Sequence, residues 1–329
     1  MASKARFGLT LSNRGVILGL TKPEEILQMA EAAEDSGVFD HVWVGDSIMA
    51  KPRMECISLM CAIAARTSRV GIGVACMATL PSRDPIVLAY QWASMDLLSN
   101  GRTILGACMG GSIGDQDHRT EYRNMGIKAL ERSRRMEENI AILRQLWTGE
   151  RVNFQGEFHT LEEAFVSPMP AQSPPPVWVI SNPRLSTGKP HIIERSLRRV
   201  AQLGDGWMTT GTGPVNDFVE MRRRIFEYAP EYDRSFEDRP CSVYYNININ
   251  EDAEAAFDES KRYLDQYYSM SYRPEVVKNW VALGSPKECI SQIGAYVDAG
   301  ATDILLRIPS WDQAGQFRRC VEEVLPHFR

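Results

Sequence analysis

The segment Ser181-Asn182-Pro183-Arg184, with Ser186, Thr187 and Lys189 close behind, combines hydroxyls, backbone N–H groups and cations just ahead of a helical pattern. An anion such as a phosphate needs this donor set, because a helix start adds its free N–H groups to nearby cations. Asp46 and Ser47 follow a short apolar run; the carboxylate can move a proton or fix a hydrogen bond, whereas serine does not titrate near neutral pH. Cys108-Met109-Gly110-Gly111 sets a thiol beside two glycines that let a ligand approach the backbone, although burial is the commoner fate of a cysteine. His118 and His191 stand in polar segments from which either can reach a site. Other motifs fail. Gly71-Ile72-Gly73 and Gly211-Thr212-Gly213 meet Cys76 and Asn216 where a dinucleotide fingerprint needs its third glycine, and Gly188-Lys189-Pro190 lacks the hydroxyl of a phosphate-binding P-loop. Neither HExxH nor a Cys/His cluster occurs, so no metal is expected.

These residues need elements to hold them. Short apolar runs at 6–11, 41–45, 69–75, 103–108, 177–180, 206–210, 242–249 and 303–308 read as strands. They alternate with amphipathic helical stretches at 23–36, 55–66, 85–98, 129–147, 192–203, 216–227, 253–268, 286–299 and 314–325. Eight strands alternating with helices predict an α/β fold, a closed (β/α)8 TIM barrel. Insertions are expected after strand 4, where 151–159 reads as a hairpin and 168–176 as a Pro-rich link, and before strand 8, at 269–282. Residues 1–329 are expected to form a single barrel domain. Such a barrel gathers its site at the C-terminal ends of its strands. Asp46, Cys108 and Ser181 then lie at strand ends, and Asn13, Arg14, Arg307, Ser310 and Trp311 become substrate-pocket positions.

Composition agrees with a globular chain: 329 residues, 44% hydrophobic and 24% charged, which excludes a disordered or fibrous protein. A net charge of −5 gives no general attraction to nucleic acid or anionic membranes. No apolar run approaches the roughly 18 residues that span a bilayer. Residues 1–6 lack the apolar core of a signal peptide, and seven scattered cysteines without a CxxC pair suit a reducing compartment, so a cytoplasmic protein is expected.

Several phrases add up to a family. Residues 33–46 (AEDSGVFDHVWVGD), 64–73 (AARTSRVGIG) leading into 80–85 (LPSRDP), and 95–102 (MDLLSNGR) followed by Leu105-Gly106 resemble the bacterial luciferase-like flavin-dependent monooxygenase and F420-dependent oxidoreductase family. So do 138–147 with Gly149, 168–172 (PMPAQ), 204–207 (GDGW) and 284–288 (GSPKE), in the family's order. The resemblance implies a barrel binding FMN or the deazaflavin F420, with the cofactor doing the redox chemistry, and a homodimer in many members. It implies a non-proline cis peptide in Ala75-Cys76-Met77, where small residues let the flavin ring approach. It gives Cys108 the position of a reactive thiol in the luciferases and Ser181 that of a phosphate-binding serine, next to Asn182 and Arg184. Met109 stands where an arginine helps hold phosphate, and Ser47 where many members carry a histidine base. The leading expectation is therefore a monooxygenase using externally reduced FMN, supplied by a flavin reductase, and O2 on a small organic substrate. Asp46 and Cys108 are its catalytic candidates; Ala75, Cys76, Met77, Cys108, Gly110, Ser181, Asn182 and Arg184 its cofactor wall; Asn13, Ser47, His118, Arg307 and Trp311 its substrate contacts. The alternative is F420-dependent hydride transfer, whose acidic cofactor tail calls for a basic groove from Arg184, Lys189, Arg195 and Arg198. A second alternative is a flavin-binding protein without turnover.

Overall fold

The computed structural model describes residues 5–329; residues 1–4, which belong to the stretch read for a signal peptide, lie outside the described residues. Strands β1 (Arg6–Thr10), β2 (His41–Val44), β3 (Gly71–Met77) and β4 (Thr103–Ala107) come first. A two-stranded antiparallel hairpin, β5 (Val152–Gln155) with β6 (Thr160–Ala164), follows. Then come β7 (Val177–Ile180), β8 (Gly206–Thr210), β9 (Cys241–Ile249), β10 (Val281–Gly284) and β11 (Asp303–Arg307). The order β9-β11-β1-β2-β3-β4-β7-β8, with β8 pairing back to β9, closes eight parallel strands into a barrel with helices around them. The expected fold class is therefore the observed one. The strands are almost wholly buried, as parallel strands covered on both faces must be.

Two elements differ from the sequence reading. The segment expected as an insertion at 269–282 contains helix α9 (Pro274–Trp280) and the start of β10, which pairs with the far half of β9 through Val281↔Asn246 to Gly284↔Ile249. β9 is nine residues long, nearly twice its neighbours, so it serves the ring with its first half and β10 with its second. Helix α4 (Gln116–Asn124) was not expected, because its sequence is polar throughout and buries only Glu121 and Tyr122. The remaining helices are α1 (Pro23–Asp35), α2 (Cys56–Arg66), α3 (Pro85–Leu98), α5 (Arg132–Leu146), α6 (Pro190–Leu203), α7 (Val215–Tyr228), α8 (Ala253–Tyr268), α10 (Pro286–Asp298) and α11 (Gln313–Arg319). Their starts are written locally. Asp84 caps α3 by accepting from Ile86 and Val87 N–H, with Pro85 in the first turn, and Ser285 with Glu288 forms a capping box on α10. Among the described residues no helix is long and apolar enough to cross a membrane.

The contacts group into two compact units. One comprises Ser12–Glu31 and Trp43–Trp178. Its interior is set by Trp43, which packs at a tilt against Trp178 with ring centroids 5.2 Å apart and lies where a side chain on Gly73 would be, only 2.1 Å from a Cβ there. Buried Asp96 on α3 ties the link after the hairpin down, accepting from Gln172 N–H at 2.8 Å and Thr103 Oγ1 at 2.6 Å.

The other unit comprises Ala32–Val42 and Val179–Arg329 with the chain as far as Leu11. Asp303 holds Arg6 there at 2.9 Å and lies 3.9 Å from His41 Nδ1. Burial depresses the His41 imidazole below its ordinary value, outweighing the opposing pull of Asp303. The folded state thus resists a proton that the unfolded chain accepts near pH 6.5. Stability contributed by neutral His41 is complete above that pH and falls as pH drops toward the lower folded-state value. The slope is at most about 1.4 kcal/mol per pH unit. His41→Gln is expected to flatten the fall of the urea midpoint between pH 7 and 5 relative to the parent chain.

Candidate active site

At the end of β2, Asp46 is buried and its carboxylate is saturated. Oδ2 accepts from Thr79 N–H at 2.8 Å and Thr79 Oγ1 at 2.6 Å; Oδ1 accepts from Arg83 Nη2 at 3.1 Å. Arg83 Nε in turn donates to Thr79 Oγ1 at 2.9 Å and Nη2 to Glu55 at 3.0 Å. The network ties the segments following β2 and β3 together. Asn13 is equally committed, bridging Gly45 N–H (3.2 Å), Gly45 C=O (2.8 Å) and Met54 C=O (3.1 Å).

Residues 47–51 then wrap a second buried carboxylate. Glu121 Oε2 accepts from the consecutive N–H groups of Ile48, Met49 and Ala50 at 2.9, 2.6 and 2.9 Å, with Ser47 Oγ at 3.4 Å. Successive N–H groups turned inward make an anion-binding nest, and here the anion is the protein's own. Ser47 Oγ also accepts from Lys51 N–H at 2.9 Å, and buried Lys51 pairs with Asp115 and Asp117 at 3.3 and 3.4 Å. His118 lies 3.1 Å from Asp115 and packs over Gly111, where a Cβ would fall 2.1 Å from its ring. Tyr122 donates to Gly111 C=O at 2.8 Å, and burial pushes its phenol up to about 12. Gly110 takes φ +84°, and a side chain there would strike Tyr122 Oη at 2.5 Å.

The Ala75–Cys76 peptide bond is cis, at the position where the resemblance places one. Ala75 and Cys76 are half-buried and Met77 is buried. The Cys76 and Cys108 thiols, at the ends of adjacent strands β3 and β4, hydrogen-bond to each other. Cys108 also receives Gly110 N–H, and these two donors lower its thiol, while Cys76, donating beside a second sulfur, is raised. Burial raises Cys56, Cys61, Cys241, Cys289 and Cys320. Brief alkylation with iodoacetamide near pH 7, read by peptide mass mapping, is therefore expected to label Cys108 first.

In the other unit the predicted anion loop divides. Ser181 is buried, its hydroxyl 2.7 Å from Ser196 Oγ on α6. Asn182 is fixed by Thr209, which donates to its Oδ1 at 2.9 Å, and by Thr210 and Thr212, which accept from its Nδ2. Asn182, Arg184, Ser186 and Thr187 line a cavity of ≈ 600 Å³ together with Thr212 and Arg273. Asp217 lines it too, with its carboxyl raised by burial. Of the four residues expected to make a basic groove only Arg184 lines this cavity; Lys189 and Arg195 do not, and Arg198 is spent on Glu194 and Glu231. Arg273 joins Arg184 instead. Arg307, at the end of β11, lies buried among tyrosines. Trp311 is 43% exposed and meets Tyr263 edge-on. Sequence reasoning missed Thr79, Arg83, Glu121 and Arg273 as site residues; only Arg83 carried a signal, inside the quoted 80–85 phrase.

The model of the luciferase-like monooxygenases matches residues 5–303. The chain belongs to this family. It is an enzyme of the oxidoreductase type. A curated F420-dependent glucose-6-phosphate dehydrogenase of Amycolatopsis mediterranei is 29% identical over 93% of this chain and 95% of that protein. Two solved structures share the fold. One is an F420-dependent secondary alcohol dehydrogenase in complex with an F420-acetone adduct (TM-score 0.80, 19% identity, 99% of each chain). The other is a monooxygenase from Streptomyces bottropensis (TM-score 0.81, 21% identity, 98% of this chain and 100% of that one). The curated relatives overturn the leading expectation of an FMN-dependent monooxygenase with FMN as its cofactor: their names are those of F420-dependent dehydrogenases. The absence of histidine at Ser47 had favoured oxygen chemistry; in the structure Ser47 holds the 47–51 turn.

Proposed function

We propose that the chain is an F420-dependent dehydrogenase taking hydride from a hydroxyl-bearing carbon of a small substrate. The similarity to F420-dependent glucose-6-phosphate dehydrogenases across 93% of the chain carries this reading. The donor set of the ≈ 600 Å³ cavity supports it: two guanidiniums, three hydroxyls and an oriented amide suit the phosphate and acidic tail of F420. When bound, that cofactor supplies a deazaflavin ring that accepts a hydride without oxygen. The chain's own residues do the holding. Arg184 and Arg273 would balance the tail's charge, and Ser186, Thr187 and Thr212 would donate to phosphate oxygens. Asn182 is a positioning residue, its amide fixed by three threonines. Asp217, whose carboxyl burial raises, lines the same cavity.

Titration of the full chain with F420 and with FMN, read by cofactor fluorescence, tests the proposal. F420 is expected to saturate at concentrations at least tenfold below FMN. The Arg184→Ala, Arg273→Ala double variant should weaken F420 at least tenfold without lowering Tm. Tighter binding of FMN, or unchanged F420 affinity in the double variant, overturns the assignment.

A further inference from the structure

Arg307 is 1% exposed. Its Nη1 donates to Tyr268 Oη at 2.8 Å, and its guanidinium carbon lies 4.2, 5.4 and 5.6 Å from the ring centres of Tyr267, Tyr244 and Tyr268. Its Nε is buried with no hydrogen-bond partner. Among the described residues no carboxylate pairs with it, in contrast to Arg83, which has both Asp46 and Glu55. Aromatic faces offset part of the cost of burying a cation, but an anion offsets far more. The register shows where the side chain points. Phe7, paired with Ile304, meets Phe328 on the helix-covered face of the sheet, so Leu305 and Arg307 face the barrel interior with their partners Tyr244 and Asn246. Asn246 repeats the pattern: Nδ2 donates to Trp280 C=O at 3.0 Å, whereas buried Oδ1 accepts nothing. The cage also has a door. Tyr272 packs against Tyr268 and Trp280, with ring centres 5.9 and 5.6 Å away, and lines the ≈ 600 Å³ cavity as well.

We propose that Arg307 anchors an anionic group of the substrate, a carboxylate or phosphate, while Asn246 Oδ1 accepts a hydrogen bond from a substrate hydroxyl. The assignment deepens the dehydrogenase reading and rests on it for the word substrate. Tyr268 Oη holds the guanidinium in place until the anion arrives, and Tyr272 swings to admit it.

The test uses the full chain without cofactor, at constant ionic strength, with inorganic phosphate, acetate and neutral glycerol as probes. Tm of the parent chain is expected to rise saturably with phosphate or with acetate and not with glycerol; which anion acts tells a phosphate-bearing from a carboxylate-bearing substrate. Arg307→Met should abolish that response while its own Tm stays level or rises, because an unpaired buried charge has been removed. Arg307→Lys keeps the charge and should weaken the response at least tenfold, which covers the case in which the methionine variant does not fold. No saturable anion response in the parent, or the same response in either variant, overturns the proposal. F420 affinity, read from the cofactor's own absorbance, is measured in parallel. A parent chain that responds to anions but ignores F420 defeats the cofactor reading and leaves the anion site standing.

Discussion

Asp46→Asn is expected to cost about 3–5 kcal/mol of stability, the range for breaking one side of a buried ion pair. The two side chains have the same shape, so the loss is electrical and directional. Thr79 already accepts from Arg83 Nε, so its hydroxyl hydrogen and its N–H both point at Asp46 Oδ2, while Arg83 Nη2 points at Oδ1. An asparagine must turn its NH2 toward one of these donors. Arg83 then keeps Glu55 as its one charged partner, whose side chain is 40% exposed and holds it less firmly. A urea melt reads the loss as a lowered midpoint at unchanged slope. A stability within about 1 kcal/mol of the parent, together with abolished turnover, would instead make Asp46 a catalytic group. Arg83→Met with Asp46→Leu, which removes both charges, should recover much of the stability.

The second large effect is expected at Glu121. Its single oxygen satisfies three consecutive N–H groups, and hydrogen bonds to a charged acceptor are worth about 1.5–3 kcal/mol each at best. Ile48 and Met49 are partly exposed, so water replaces some of what is lost. Glu121→Ala should therefore cost about 3 kcal/mol in all and Glu121→Gln, which keeps a neutral oxygen in the nest, about 1 kcal/mol. Turnover should fall in the same order, because the turn carrying Ser47 loses its template. Equal stability of the alanine variant and the parent would show that water fills the nest at no cost.

The barrel was legible in the sequence because its strands are short apolar runs bounded by turn residues, and helices such as α3 and α10 carry their own caps. β10 was not legible, since its four residues follow α9 without a break and what makes them a strand is the overlong β9 beside them. α4 was hidden for the opposite reason: its sequence is polar, and it is held by one carboxylate in a distant turn rather than by an apolar face. The site showed the same split. Asp46 and Arg184 were visible as reactive types at strand ends. Glu121 and Arg273 look like ordinary surface charges until the chain brings them to a nest and a cavity. The choice of cofactor depended on one missing histidine, and a residue's absence says little about which ring lies opposite it.

The two-part pairing of β9 has a consequence for how such a chain diversifies. Residues 242–246 pair with β11 and belong to the ring, whereas 246–249 carry β10 and, through it, the aromatic cover built from α8 and α9. The stretch from Asn250 to Trp280 is thus a cassette clipped onto spare backbone. A change there leaves the ladder of the ring its bonds but reaches Arg307 of β11, which rests on Tyr267 and Tyr268. Substitutions in this stretch therefore alter what covers Arg307 without touching the pairing that closes the ring.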